Sequence, residues 1–148
     1  MTTRTAVDAA RSRSSIGVVD RLLEAIAVGS GRPEDRFSPL YSSGATLDAV
    51  VPGWRFKASG PDAIAAVYSG WFNDPGVLDE VQRQRTPIGE VLEYTVSWEE
   101  DGVAHAARHV HVLTFDPEDD VIAEDHVWCG GRWDAALLAE MAAARPGE

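Results

Sequence analysis

Apolar residues in the first part of the chain recur at helical spacing. Ile16, Val19, Leu22, Leu23 and Ile26 share one side of a helix that Ser14 or Ser15 would cap and Gly29 or Gly31 would stop. Pro33 opens a second, short helix ending before Gly44, with Phe37, Leu40 and Tyr41 as its apolar side. The segment ATLDAVVPGWRFKASG reads as short extended pieces with turns at Pro52-Gly53 and Gly60. Pro61 and Asp62 then suit the first turn of a helix. Its apolar positions Ile64, Val67, Tyr68 and Trp71 follow at i, i+3, i+4 and i+7. Asn73-Asp74-Pro75-Gly76 ends it. From Val77 the period changes to two, which predicts strands near 77–86, 89–99, 103–115 and 121–129. Glu100-Asp101-Gly102 is a tight hairpin turn. Ala135 to Ala144 forms a last helix that packs through Leu137, Leu138 and Met141. Residues 1–14 are polar without a period and read as a disordered tail, leaving 15–148 as a single domain.

Helices first and a meander of long strands afterwards is an α+β order: a curved antiparallel sheet packed against N-terminal helices, with a short C-terminal helix. A strongly twisted sheet covered by helices leaves a concave face in which a ligand can sit.

Composition narrows the partners. At 148 residues with 45% apolar and 25% charged positions, the chain can bury a real core. A net charge of −11 argues against nucleic acid and against an anionic membrane surface. No apolar run approaches the ~20 residues of a membrane span, and the start MTTR lacks the apolar core of a signal peptide. The lone Cys129 has no internal disulfide partner, which fits a reducing cytoplasm.

The candidate chemistry lies between Val103 and Cys129. Side chains alternate along a strand, so His109, His111, Leu113 and Phe115 share one face, and Ile122, Glu124, His126 and Trp128 share one face of the next strand. Imidazoles titrate near pH ~6.5, and two on facing strands can serve as acid and base. A His109–His111–His126 metal site is the weaker alternative. In this register Asp125 points away, as a sheet-surface charge, and only a one-residue bulge would reverse it. The acidic turn 116–120 reads as a solvated loop. Cys129 has no activating base and reads as a structural thiol. Gly130-Gly131 lacks the spacing of a phosphate loop.

The segments ATLDAVVPGWRF, GPDAIAAVYSGWF and HVHVLTFDPEDDVIAEDHVWCGGRW resemble the nuclear transport factor 2-like superfamily, in particular its SnoaL-like branch, over roughly residues 16 to 133. That resemblance implies a cone-shaped fold with a central cavity. It also implies relatives as diverse as ketosteroid isomerase, limonene epoxide hydrolase, scytalone dehydratase, polyketide cyclases and pure binding modules, among which fold does not choose. The isomerase's general-base aspartate falls on Ala49, with Asp48 one residue early, and its first-helix tyrosine has no counterpart. The carboxylic acid of its oxyanion hole falls on His111. The aspartate of the hydrolase's last strand falls near His126, and its partner arginine and aspartate are not recognisable.

The expectation is a small, cofactor-independent isomerase, cyclase, dehydratase or hydrolase acting on an apolar small molecule. His111 and His126 are its expected catalytic pair. His109, Trp128, Tyr41, Trp71, Leu113 and Phe115 are the expected substrate contacts. The rival is a non-catalytic binding module for a hydrophobic ligand or a protein partner. The exposed sheet face, with Val, Thr and Trp at alternate positions, is expected to pair two copies as a homodimer.

Overall fold

A computed structural model describes residues 17–29 and 31–144. Helix α1 (Val18–Val28) is followed by the single turn α2 (Pro33–Arg36) and a 3-10 turn (Ser38–Leu40). Strands β1 (Tyr41–Val51) and β2 (Trp54–Ser59) lead into helix α3 (Pro61–Trp71). Then come β3 (Val77–Arg85), β4 (Gly89–Glu100), β5 (Val103–Phe115), β6 (Ile122–Asp134) and helix α4 (Ala135–Ala143). The expected tail, with its capping serines Ser14 and Ser15, lies outside the described residues. Gly17 is the N-cap that is seen.

The strands form one six-stranded sheet in the order β2-β1-β6-β5-β4-β3. Neighbours are antiparallel except β1 and β6, which run parallel. The expected curved antiparallel sheet thus carries one parallel pair. The β1–β2 hairpin comes early in the chain and closes the free edge of the last strand, which it meets running the same way. The sheet is curved and does not close on itself. Together with the helices it is α+β, as the order of patterns predicts.

The second helix is shorter than its pattern suggests. Pro39 has no amide hydrogen and disfavours the helical region for the residue before it. Only a 3-10 turn survives there, and Tyr41 is already extended at φ −117°, ψ 142°. Tyr41 therefore begins β1 rather than sitting on a helix. α1 stops where expected: Gly29 takes the left-handed φ of 66°, and a Cβ there would lie 2.1 Å from the backbone nitrogen of Pro75. The amide of Gly76 donates to Ala27 O at 3.0 Å, which ties the end of α1 to the turn after α3.

The core lies between the helices and one face of the sheet. Val18, Val19, Leu22 and Ile26 of α1 and Ile64, Ala65 and Tyr68 of α3 pack on Leu47, Ala49, Leu92, Tyr94, Leu113 and Val127. Strand β6 carries two irregularities that decide what reaches this face. Phe115 pairs with Ile122 but Thr114 pairs with Glu124, so Ala123 is an extra residue. Ile122 points inward, and beyond the bulge the alternation is reversed: Asp125 and Val127 are buried, while His126 and Trp128 are not. Further along, Ala107 pairs with Arg132 and His109 with Cys129, so β6 again has one residue too many, at Gly130-Gly131. Gly131 sits at φ 116°, a conformation that favours glycine. No helix among the described residues is long and apolar enough to cross a membrane.

Candidate functional site

The inward faces of β1, β6, β5 and β4 meet in register. One row runs Leu47–Asp125–Leu113–Glu90, and the next runs Ala49–Val127–His111–Leu92. A third joins Cys129, His109 and Tyr94. Asp125 and His111 are thus diagonal neighbours on the same face, both without solvent exposure.

Asp125 is the anchor of a hydrogen-bonded chain. Its Oδ2 accepts from the Tyr41 hydroxyl at 2.8 Å and from the Tyr68 hydroxyl at 2.7 Å. Its Oδ1 lies 2.9 Å from His111 Nδ1. On the far side of that ring, His111 Nε2 is 2.9 Å from the Tyr94 hydroxyl. The same hydroxyl is 3.0 Å from His109 Nδ1. His109 Nε2 has no hydrogen-bond partner among the described residues.

The electrostatics follow from this geometry. Burial raises the Asp125 carboxyl, but adjacent His111 and the hydrogen bonds from His111, Tyr68 and Tyr41 outweigh it and hold the carboxyl below its ordinary value. Burial, then the charge of Asp125, pushes the phenols of Tyr41, Tyr68 and Tyr94 well up, so all three remain protonated donors. Burial, then nearby His111, pushes His109 down to about 3, with Asp125 opposing weakly. His109 is therefore neutral at pH 7. Because an ionised carboxylate only accepts, the Asp125-facing nitrogen of His111 carries hydrogen.

Only the end of the chain reaches open space. A cavity of roughly 270 Å³ is lined by Trp71, Phe72, Val96, Trp98, His109, Cys129 and Arg132, with Val51, Pro52, Gly70, Ala107 and Gly131 completing the wall. The Trp71 and Phe72 rings lie 5.4 and 5.5 Å from the His109 ring and fix its plane. At the rim, Arg132 stacks over Trp98 and pairs with Glu100. Asp74 and Asp101 line a polar depression that shares Gly70, Trp71 and Arg132 with the cavity. Burial raises the Cys129 thiol, keeping it protonated.

Of the residues singled out in the sequence, His109 and Trp71 line the cavity. His111 is inward but lies behind His109 and Tyr94. Tyr41 is inward and serves Asp125 instead of open space. Leu113 is core at 1% exposure, and Phe115 packs against the core from its edge. Two expectations are corrected. His126 and Trp128 stand on the opposite face of the sheet, because the bulge at Ala123 reverses the alternation assumed from Ile122. There His126 stacks on Trp128 and lies 3.7 Å from Asp48, which Arg55 holds through two hydrogen bonds. With His126 across the sheet, the three-histidine metal arrangement does not assemble. Asp125, read as a surface charge, is the buried centre. Tyr94, which was not singled out, shares the alternation of Leu92 and Val96, and that parity was the available signal.

No protein-family model matches the sequence, and no curated protein matches it. Solved structures do. A Catenulispora acidiphila protein with a ketosteroid isomerase-like fold, in complex with trimethylamine, superposes with a TM-score of 0.57 at 13% identity, over 76% of this chain and 85% of that one. The fold is the nuclear transport factor 2-like cone. A proposed ketosteroid isomerase from Parabacteroides distasonis aligns with a TM-score of 0.53 at 16% identity, over 75% of this chain and 83% of its own. A de novo designed protein with a curved β-sheet gives 0.54 at 14% identity, over 75% and 83%. That a designed chain superposes equally well underlines that the likeness concerns the fold.

The depressed His109 predicts a pH signature. Between pH ~6.5 and about 3 the unfolded chain binds a proton at residue 109 that the folded chain refuses. Stability therefore falls as the pH drops through this window, by up to about 1.4 kcal/mol per pH unit. Asp125 acts lower: its contribution is present above the ordinary carboxylate range and is lost as the pH falls through its depressed folded value. Urea melts of wild type and His109→Gln from pH 7 to 4 should diverge in slope, the variant being flatter. Parallel slopes would contradict a neutral, buried His109.

Proposed function

We propose that this protein is a small, cofactor-independent acid/base enzyme that acts on an apolar small molecule in the cavity. The observation that carries the reading is the open Nε2 of His109. A fully buried, fully hydrogen-bonded chain of ionisable groups ends on one nitrogen without a protein partner, in a cavity walled by Trp71, Phe72 and Trp98. The neutral imidazole offers Nε2 there as a proton acceptor, a base that burial weakens unless the charge is passed on. His109 is the catalytic residue on this reading, and His111 acts through it. The cavity lies near the small end of the usual range for ligand sites, which favours a compact ring system with a carbonyl, an alkene conjugated to one, or an epoxide. The trimethylamine complex of the Catenulispora protein supports the idea that this fold can hold a small ligand. A cytoplasmic setting, suggested by the lone cysteine, belongs to the same proposal.

The test is a panel of small cyclic unsaturated ketones and epoxides incubated in D2O, followed by NMR for deuterium incorporation, rearrangement or ring opening. Binding is followed in parallel through tryptophan fluorescence. For a ligand that reacts, His109→Ala should lower turnover by roughly 10²–10⁴. Ligands that bind and never react, or a variant that turns over like wild type, would favour the binding-module reading.

We also propose a homodimer formed through the outer face of the sheet. Val110 and Val50 flank Trp128 there, and Trp128 and Val112 remain 45% and 38% exposed, which is costly in water for a contiguous apolar patch. Sedimentation at micromolar concentration should give a dimer for wild type and a shift to monomer for Trp128→Glu. A wild-type monomer under those conditions would end this proposal.

A further inference from the structure

The hydrogen-bonded chain can be satisfied in two opposite directions, and that property assigns a role to Tyr94. In the first, neutral His111 donates from Nδ1 to Asp125 and accepts at Nε2 from the Tyr94 hydroxyl. The Tyr94 oxygen then accepts from His109 Nδ1–H, and the lone pair of His109 Nε2 faces the cavity. In the second, His111 carries protons on both nitrogens and donates to Tyr94. Tyr94 donates to His109 Nδ1, and His109 presents Nε2–H to the cavity. Between Asp125 and His109 Nδ1 every donor meets an acceptor in both arrangements, and the heavy atoms need not move; only the cavity-facing Nε2 changes from acceptor to donor.

We propose that Tyr94 is a proton relay between the two histidines, so that a proton taken from a ligand at His109 is stored on His111 beside Asp125. This rests on the acid/base reading of the cavity. In the forward step the ligand's X–H bond breaks and a His109 Nε2–H bond forms, leaving the electron pair on the ligand. His109 Nδ1–H breaks as the Tyr94 oxygen takes that proton. The original Tyr94 O–H breaks as His111 Nε2 takes its proton. The ligand gains one negative charge and His111 one positive charge, while His109 and Tyr94 end neutral. The reverse sequence returns a proton to the same or a different atom of the ligand, and no co-reactant is needed.

The relay resolves a conflict in the site. His109 alone is a poor place for positive charge, being 3% exposed and packed between Trp71 and Phe72. His111 is equally buried but has a carboxylate 2.9 Å away. The remaining titratable groups around the chain are Tyr41 from β1, Tyr68 from α3, Glu90 from β4, which Arg83 holds through two hydrogen bonds, Cys129 from β6 opposite His109, and Arg132 across the cavity. The two phenols are committed to Asp125, so neither competes for the Tyr94 hydroxyl.

The relay can be tested without a ligand. Protein labelled with ¹⁵N-histidine is titrated from about pH 4 to 10, with resonances assigned through single His→Gln variants. In wild type, His109 should change tautomer, from Nδ1–H to Nε2–H, at the midpoint at which His111 gains its proton. In Tyr94→Phe, which removes only the hydroxyl, His109 should stop following His111. A wild-type His109 that keeps one tautomer throughout overturns the relay, and so does a His109 that still follows His111 in Tyr94→Phe. The wild-type titration decides the matter even where the variant does not fold. Coupled tautomers with no reaction of any probe would leave the relay standing and remove the catalytic reading. Uncoupled tautomers with loss of turnover in His109→Ala would do the opposite.

Discussion

The structure depends on one buried negative charge. An ionised carboxylate in a dry interior costs several kcal/mol unless its acceptor sites are filled. Asp125 fills them from three different elements: Tyr41 at the start of β1, Tyr68 on α3 and His111 on β5. The same contacts tie a helix and two strands to β6 at one point. The bulge at Ala123 is what turns Asp125 inward, so an irregularity of one residue determines both the polarity of the core and the position of its anchor. Such bulges recur next to functional sites because they re-aim a side chain without interrupting the sheet.

From that anchor the polarity fades toward the cavity in steps. Asp125 is charged, His111 bridges, Tyr94 is neutral and His109 is neutral and open on one side. The apolar walls from α3 and β4 exclude water from the ring of His109, and charge is confined to the rim, where Arg132, Glu100, Asp101 and Asp74 gather. The open Nε2 of His109 faces this cavity between the aromatic rings of Trp71, Phe72 and Trp98. That is an arrangement in which a single proton transfer is strongly felt, since the local dielectric is low.

Much of this was legible in the alternation of side chains. The period-two runs place the long strands well, and the parity of His109, His111 and Leu113 puts them on the buried face. Tyr68 and Trp71 fall on the inward side of a helix that their spacing already outlines. What alternation alone misses is a change of phase. Ile122 is inward as its parity suggests, but nothing in the run IAEDHVWC marks Ala123 as an extra residue. The assignment of Asp125, His126, Val127 and Trp128 therefore inverts as a block. A buried aspartate is also hard to read from a sequence, because its partners Tyr41 and Tyr68 lie far away in the chain. Tyr41 is misplaced for a local reason, since Pro39 ends the helical turn before it.

Asp125 is ionised, and His111, Tyr41 and Tyr68 all donate to it. Neutron diffraction from perdeuterated crystals at neutral pH observes those hydrogens directly. The expected result is no deuteron on either Asp125 oxygen, one on His111 Nδ1, and the Tyr41 and Tyr68 hydroxyl deuterons directed at Oδ2. A deuteron on the Asp125 carboxyl, or a bare His111 Nδ1, would contradict it.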